Sequence, residues 1–122
     1  MDYLKEADEL VKQMTLDEKI HMITGNDFWH TYGIERLGIP SIMVTDGPNG
    51  LRKQYAESDM LGINKSVPAT CMPTSCTTAC SFDRSLLNEI GEALGEECHK
   101  EQVSVILGPG VNIKRSPLCG RN

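Results

Sequence analysis

Two short apolar segments, each followed at once by a glycine-rich turn, constrain this sequence more than any other feature. Residues 41–44 (Ser-Ile-Met-Val) lead into 45–50 (Thr-Asp-Gly-Pro-Asn-Gly), and residues 103–107 (Val-Ser-Val-Ile-Leu) lead into 108–110 (Gly-Pro-Gly). The first run lacks polar alternation, which is typical of a parallel strand covered on both faces. The second is rich in β-branched residues, which favour strands. Because a helical pattern separates the two, the sequence predicts an α/β fold with a parallel sheet.

The N-terminal part of the chain predicts two helices. Residues 3–14 repeat apolar side chains at steps of three and four, which gives one face of an amphipathic helix. Thr15 and Glu18 then fit a capping box, in which the hydroxyl and the carboxylate each accept a hydrogen bond from a free backbone amide. We therefore expect a second, short helix over residues 16–23, ended by Gly25 in the left-handed conformation.

The middle of the chain gives weaker signals before one long helix. Residues 26–40 and 51–73 are interrupted by Gly and Pro and are predicted to be loops, whereas the small residues 75–79 predict a weak strand. A loop as long as 51–73 is unusual in a compact domain unless it is functional. Asp83 is the expected N-cap of a helix over about residues 84–101. The inward face of that helix carries six side chains: Leu86, Leu87, Ile90, Ala93, Leu94 and Cys98.

The composition argues against several classes of protein. The 122 residues include 12 Lys and Arg against 17 Asp and Glu, which gives a net charge of −5, and 24% are charged. The even spread of charge argues against disorder, and the acidic balance argues against binding to nucleic-acid phosphates. No apolar run approaches the ~20 residues of a membrane helix. The first residues lack the basic start and apolar stretch of a signal peptide, so we expect a cytoplasmic protein.

Five cysteines leave a metal or redox role open as an alternative. Cys71, Cys76 and Cys80 follow the pattern C-x4-C-x3-C, one residue away from the spacing of plant-type iron–sulfur proteins. The odd number and the expected reducing compartment argue against a disulfide framework. We expect free, buried thiols that pack as small apolar groups, with no metal and no cofactor. The alternative is a small cytosolic metal or redox protein that uses these three cysteines.

Asp46 is the first candidate for ligand binding. It stands where the first predicted strand ends, and ligands in parallel α/β folds bind at the carboxyl ends of strands. Its carboxylate is suited to accept hydrogen bonds from sugar hydroxyls or from a protonated group. The alternative is that Asp46 makes an Asx-turn with the amides that follow it.

Two further groups of side chains have both a functional and a structural interpretation. Arg115 and Arg121 bracket an irregular segment, where a guanidinium either holds hydroxyls or carboxylates or lies in solvent. The residues alone leave these interpretations open, as they do for four rings that either form a stacking wall for a sugar or cover the sheet: Phe28, Trp29, His30 and Tyr32.

Five motifs follow one another along nearly the whole chain, and the last two are highly specific. They are Thr-Gly at 24–25 with Phe-Trp-His at 28–30, Arg-Leu-Gly-Ile-Pro at 36–40, Thr-Asp-Gly-Pro-Asn-Gly-Leu-Arg at 45–52, Pro-Ala-Thr at 68–70, and the block 108–122. In these motifs and in their order, the sequence resembles the family 3 glycoside hydrolases, in particular the bacterial and fungal β-glucosidases.

The resemblance implies a TIM-like (β/α)8 barrel domain, followed in the family by a second, α/β sandwich domain. Residues 1–122 would be the N-terminal portion of the barrel, with the leading helices and about three strands, because a complete barrel takes ~250 residues. The implied activity is hydrolysis of O-glycosidic bonds that releases terminal β-D-glucosyl residues. In such retaining enzymes one carboxylate attacks the anomeric carbon, and a second protonates the leaving oxygen and later activates water.

The resemblance also implies which residues bind the substrate. The family's aspartate in the Asp-Gly-Pro-Asn-Gly motif, here Asp46, holds the 4- and 6-hydroxyls of the sugar in the −1 subsite. The arginine of the Cys-Gly-Arg segment, here Arg121, donates to neighbouring hydroxyls, and Arg115 would support it from the same loop. The expected partner is therefore a β-glucoside or an oligosaccharide.

The family's catalytic groups have no counterpart within these 122 residues. They are a Lys-His pair, a nucleophilic aspartate and an acid/base glutamate, so we expect no turnover by this chain alone. A partial barrel leaves strand edges and its apolar interior exposed, so we also expect self-association. The alternative function is a non-catalytic carbohydrate-binding or assembly module, encoded as a short separate protein.

Overall fold

The structure is a computed structural model, and it describes residues 2–55 and 63–111, together with Ser116 and Leu118. In chain order its elements are α1 (Tyr3–Gln13), α2 (Leu16–Thr24), a 3₁₀ helix (Glu35–Leu37), β1 (Val44–Asp46), α3 (Ser75–Ala79), α4 (Arg84–Lys100) and β2 (Val105–Leu107).

The two strands pair in parallel, as the sequence predicts. Val44 lies opposite Val105, and Asp46 lies opposite Leu107, so both strands point their carboxyl ends at the same edge. β1 begins later than the predicted segment 41–44, because Met43 is paired instead in an antiparallel bridge with His30. At its other end β1 includes Asp46, which the sequence placed just after the strand.

The third predicted strand, over residues 75–79, is wrong, since these residues form the helix α3. The amides of Thr77 and Thr78 donate to the carbonyl of Thr74 at 2.9 and 3.0 Å, which closes the first turn. The Thr78 hydroxyl donates to the carbonyl of Ser75 at 3.1 Å, and that of Ser81 donates to the carbonyl of Thr78 at 2.7 Å. Ser and Thr hydroxyls at and after α3 thus bond back to carbonyls of the preceding turn. The described residues accordingly contain two strands of the about three expected.

The start of α2 confirms the predicted capping box. The Thr15 hydroxyl accepts from the amide of Glu18 at 3.2 Å, and the Glu18 carboxylate accepts from the amide of Thr15 at 2.8 Å. Gly25 ends the helix at φ +80°, a backbone angle that favours glycine, although its ψ of 171° is extended rather than left-handed helical. The local signals for this helix therefore specified its position closely.

The long helix α4 also begins where the sequence predicts, since the Asp83 carboxylate accepts from the amide of Ser85 at 2.9 Å. Its apolar face becomes more buried toward its C-terminal end. Leu86 and Leu87 are exposed, Ile90, Ala93 and Leu94 are half-buried, and Cys98 is buried. Within the described residues no helix is long and apolar enough to cross a membrane.

A small apolar core lies where α4, β2 and the segment after β1 meet. The Lys53 ammonium ties that segment to the end of α4, because it donates to the carbonyl of Glu101 at 2.5 Å and lies 3.6 Å from its carboxylate. The buried members of the core are Leu51, Val67, Cys98 and Val103, with Met43 and Ile106 packed against them.

The expectation of buried thiols is confirmed only for Cys98. Cys71, Cys76 and Cys80 are exposed, and all four thiols are free, while Cys119 lies outside the described residues. The small residues around the three exposed thiols build loop and helix surface rather than core. In the part of the chain that the structure describes, no three His, Cys, Asp or Glu side chains are grouped so as to hold a metal ion.

An ion pair joins the N-terminal helices to the 3₁₀ helix that follows them. Arg36 donates from Nε to Glu18 Oε1 at 2.7 Å, from Nη2 to Glu18 Oε2, and from Nη2 to the carbonyl of Gln13 at 2.9 Å. Chiefly through the Arg36 hydrogen bond, the pKa of Glu18 is lowered from 4.5 to about 2. Arg36 thereby contacts both α1 and α2 through one guanidinium.

The Glu18→Gln variant tests the pH dependence of this ion pair. Because the folded-state pKa of Glu18 is lowered, the pair stabilises the fold fully above pH about 4.5 and loses that effect as pH falls toward about 2. We expect the unfolding midpoint of Glu18→Gln to lie below that of wild type near neutral pH. The gap should close in acid, as measured by circular dichroism. Glu6→Gln, on the exposed surface of α1, is the control, and a gap independent of pH would contradict the expectation.

Candidate functional site

Asp46 is the last residue of β1 and sits half-buried at the carboxyl edge of the parallel pair. Within the described residues its carboxylate accepts no hydrogen bond, in particular none from the amides of the turn that follows. Asp27 provides the contrast, because its carboxylate accepts from the amides of Trp29 and His30, each at 2.8 Å. The Asx-turn considered for Asp46 is therefore found at Asp27, whereas no described donor occupies the Asp46 carboxylate.

The turn after β1 is closed at its base by two hydrogen bonds of the Arg52 backbone, one donated and one accepted. The Arg52 amide donates to the carbonyl of Asp46 at 3.0 Å, and the hydroxyl of Thr45 donates to the carbonyl of Arg52. Thr45 is fully buried, and the adjacent Leu51 is 6% exposed. A buried hydroxyl and a backbone bridge thus fix the two ends of the turn on which Asp46 sits.

The turns after the two strands pack against each other with no side chain between them. A Cβ on Gly47 would overlap the side chain of Ile106, and a Cβ on Gly108 would overlap the carbonyl of Gly47. The Gly110 amide donates to the carbonyl of Pro48 at 3.1 Å. Gly108 is therefore required by the close approach of the two backbones, and Gly47 by the side chain of Ile106 beside it.

Residues 70–72 support the outer side of the turn. The Met72 amide donates to the carbonyl of Asn49 at 2.8 Å. Gly50 has φ +146°, and a Cβ on it would overlap the carbonyl of Thr70. The Pro-Ala-Thr motif at 68–70 thus lies beside the Asp-Gly-Pro-Asn-Gly motif in the fold.

The other two predicted site residues, Arg115 and Arg121, lie outside the described residues. β2 ends on Leu107, directly beside Asp46, and the chain continues from there toward both arginines. A shared pocket between Asp46 and Arg121 therefore stays a prediction.

The four rings of the loop before β1 are divided among separate contacts. Phe28 and Trp29 meet edge to face at 4.7 Å, whereas Tyr32 lies 4.7 Å from the ring of His21. His30 Nδ1 lies 3.0 Å from the Asp27 carboxylate. The amide of Val44 donates to the carbonyl of Trp29 at 2.7 Å, which places this segment along the free edge of β1. The rings do not form one stacking wall.

An apolar cavity that the sequence did not reveal lies beside the candidate site. Its volume is about 230 Å³, and it separates the turn residues Pro48 and Pro109 from Leu87, Ile90 and Leu94 on α4. The half-buried residues of α4 therefore face the turns that follow β1 and β2, next to Asp46. The helix residue that contacts this region by hydrogen bonding, Glu97, was also not singled out by the sequence.

Comparison with known proteins gives close relatives over nearly the whole chain. The sequence is 62% identical over 114 residues to thermostable beta-glucosidase B of Acetivibrio thermocellus, covering 93% of this chain and 15% of that protein. It is 53% identical over 112 residues to exo-alpha-(1->6)-L-arabinopyranosidase of Bifidobacterium longum, covering 91% of this chain and 15% of that protein. No protein-family model matches the sequence.

Solved structures agree with these relatives. The GH3 beta-glucosidase of Bifidobacterium adolescentis superposes with a TM-score of 0.74 at 50% identity, covering 91% of this chain and 15% of that one. The beta-glucosidase of Kluyveromyces marxianus in complex with glucose gives a TM-score of 0.79 at 41% identity, covering 93% and 13%. This chain belongs to glycoside hydrolase family 3. The resemblance carried by the five motifs is thus confirmed, for a family 3 chain that spans about one seventh of the length of these relatives.

The contact between Gly47 and Ile106 predicts the effect of a single methyl group in this family 3 chain. Gly47→Ala should destabilise the fold by about 1–3 kcal/mol, because the new Cβ has no room beside Ile106. Urea unfolding followed by circular dichroism measures the change.

Gly91→Ala is the matched control, since nothing lies within 4 Å of a Cβ placed there on α4. That variant should be stabilised by about 0.5–1 kcal/mol, because alanine favours a helix over glycine. Equal unfolding midpoints for Gly47→Ala and wild type would show that the Ile106 side chain does not lie close against Gly47.

Proposed function

We propose that this chain forms the N-terminal part of the barrel domain of a glycoside hydrolase that removes terminal β-D-glucosyl residues with retention of configuration. In that mechanism two carboxylates act in turn, one as nucleophile and one as acid and then base. Asp46 would take neither role. Its proposed task is to hold hydroxyls of the sugar in the −1 subsite.

The position of Asp46 is the observation that carries this proposal. The carboxylate stands at the carboxyl end of a parallel pair, where ligands bind in α/β barrels, and no described donor occupies it. An unpaired carboxylate oxygen is suited to accept hydrogen bonds from adjacent hydroxyls. Such charge-assisted bonds are stronger than neutral ones.

The relatives support a glycoside as substrate and favour glucose as its sugar. A beta-glucosidase of Kluyveromyces marxianus and beta-glucosidase 3B of Thermotoga neapolitana were both solved in complexes with glucose. The Thermotoga enzyme is 32% identical to this chain, with a TM-score of 0.74. We propose that Arg121 donates to hydroxyls next to those held by Asp46, with Arg115 as its support.

A hybrid enzyme tests the proposed activity. The matching 114-residue segment of the Acetivibrio thermocellus enzyme is replaced by this chain, and hydrolysis of a chromogenic β-D-glucoside is measured. We expect the hybrid to be active and the 122-residue chain alone to be inactive. Inactivity is expected because the nucleophile and the acid/base group are supplied by the rest of the protein in this proposal. Turnover by the purified chain alone would refute that division of roles.

The Asp46→Asn variant of the hybrid tests the proposed role of Asp46. Loss of charge-assisted bonds to two hydroxyls should lower kcat/KM for the β-glucoside about 100-fold. Asp8→Asn, the same substitution on the exposed face of α1, should leave kcat/KM unchanged. A β-D-xylopyranoside has the ring hydroxyls of a β-D-glucoside but no 6-hydroxyl, so its hydrolysis should fall by a smaller factor. Equal losses for both substrates would argue that Asp46 does not contact the 6-hydroxyl.

A further inference from the structure

Glu97 of α4 holds Thr70 through one carboxylate oxygen. Its Oε1 accepts from the Thr70 amide at 3.0 Å and from the Thr70 hydroxyl at 2.6 Å. The two residues are 27 positions apart in the sequence, so the contact joins the helix to the segment before α3. An O–H bond of this length to a carboxylate is charge-assisted and strong. Both the backbone and the side chain of Thr70 are therefore fixed by the same atom.

Thr70 in turn lies against the turn that carries Asp46. Its carbonyl packs on Gly50 so closely that no Cβ fits there, and two residues later Met72 donates to the carbonyl of Asn49 at 2.8 Å. Asn49 and Gly50 form the outer half of the turn that starts directly after Asp46. A displacement of Thr70 would consequently be transmitted to the backbone next to the Asp46 carboxylate.

The second oxygen of Glu97 shows that this carboxylate is not explained by stability alone. Glu97 Oε2 is buried, and within the described residues it has no hydrogen-bond partner. An acceptor left unpaired in the interior is unfavourable, and a carboxylate more so than a neutral amide. What the charge does provide is a stronger hold on the two donors of Thr70 than an amide would give.

We infer that Glu97 is a positioning residue that holds the turn after β1, by way of Thr70, in the conformation that presents Asp46 to the sugar. The inference rests on the proposed function of Asp46. In this inference Glu97 acts through Thr70, whose amide and hydroxyl are its described hydrogen-bond partners.

Amide NMR spectra of the 122-residue chain test the coupling without any substrate. Glu97→Gln should shift the amide signals of Thr70 and of residues 46–50, whereas the neighbouring Glu96→Gln removes the same charge and should leave them in place. Thr70→Ser keeps both donors and should resemble wild type, while Thr70→Val loses the hydroxyl and should resemble Glu97→Gln. Shifts confined to Thr70 and its neighbours on α4 would overturn the inference.

Kinetics of the hybrid enzyme separate positioning from a general structural effect. We expect Glu97→Gln to lower kcat/KM for the β-glucoside about tenfold, since small displacements of binding groups have effects of this order. The double variant Asp46→Asn/Glu97→Gln should lose no more than Asp46→Asn alone, because both act through one side chain. If the two losses of kcat/KM multiplied in the double variant, the inference would be overturned. An inactive wild-type hybrid would refute the proposed function instead, and the inference would fall with it even if the NMR shifts were seen.

Discussion

The contact between the turns that follow β1 and β2 is the constraint on which the rest of this structure depends. Parallel strands bring their carboxyl ends to one edge, but turns with side chains at Gly47 and Gly108 could not lie as close as they do here. Gly108 lets backbone pack on backbone, and Gly47 leaves room for the side chain of Ile106. Asp46 is consequently held at the edge of the sheet, and none of the described residues donates to its carboxylate.

Residues below and outside the two turns support this contact. Below the turns, the buried Thr45 and Leu51 anchor the base, and Ile106 fills the space beside Gly47. Outside them, residues 70–72 close the turn through backbone bonds, and α4 reaches this support through Glu97. The helix α4 therefore has two roles. Cys98 near its C-terminal end belongs to the core, and Glu97 bonds to Thr70 in the segment that packs against the turn.

Local signals in the sequence predicted most of the fold correctly. The capping box of α2 and the N-cap of α4 depend on hydrogen bonds between residues two or three positions apart, so their positions can be predicted without tertiary information. The segment 75–79 could not be assigned in this way. Its small residues have no clear period, and the backbone bonds from Thr77 and Thr78 to Thr74 that close its first turn appear only in the structure.

The candidate site was predictable only in part, for the same physical reason. Asp46 could be placed at a strand end from the apolar run before it, but its hydrogen bonding could not be decided from residue types, since Asp27 shows the alternative in the same chain. Glu97 could not be identified from the sequence because its partner, Thr70, is 27 positions away. A carboxylate one position before the buried Cys98 is a signal that could have drawn attention to it.

The way in which Arg36 attaches the N-terminal helices has a consequence for how this chain opens. Neither α1 nor α2 has a buried residue, and a single guanidinium bonds to the end of α1 and to Glu18 of α2. Segments with little buried surface exchange their amide hydrogens through low-energy local fluctuations, whereas core elements require larger openings. We therefore expect residues 2–24 to exchange their amide hydrogens faster than the strand pair beside Asp46, which should stay closed while these helices detach and return.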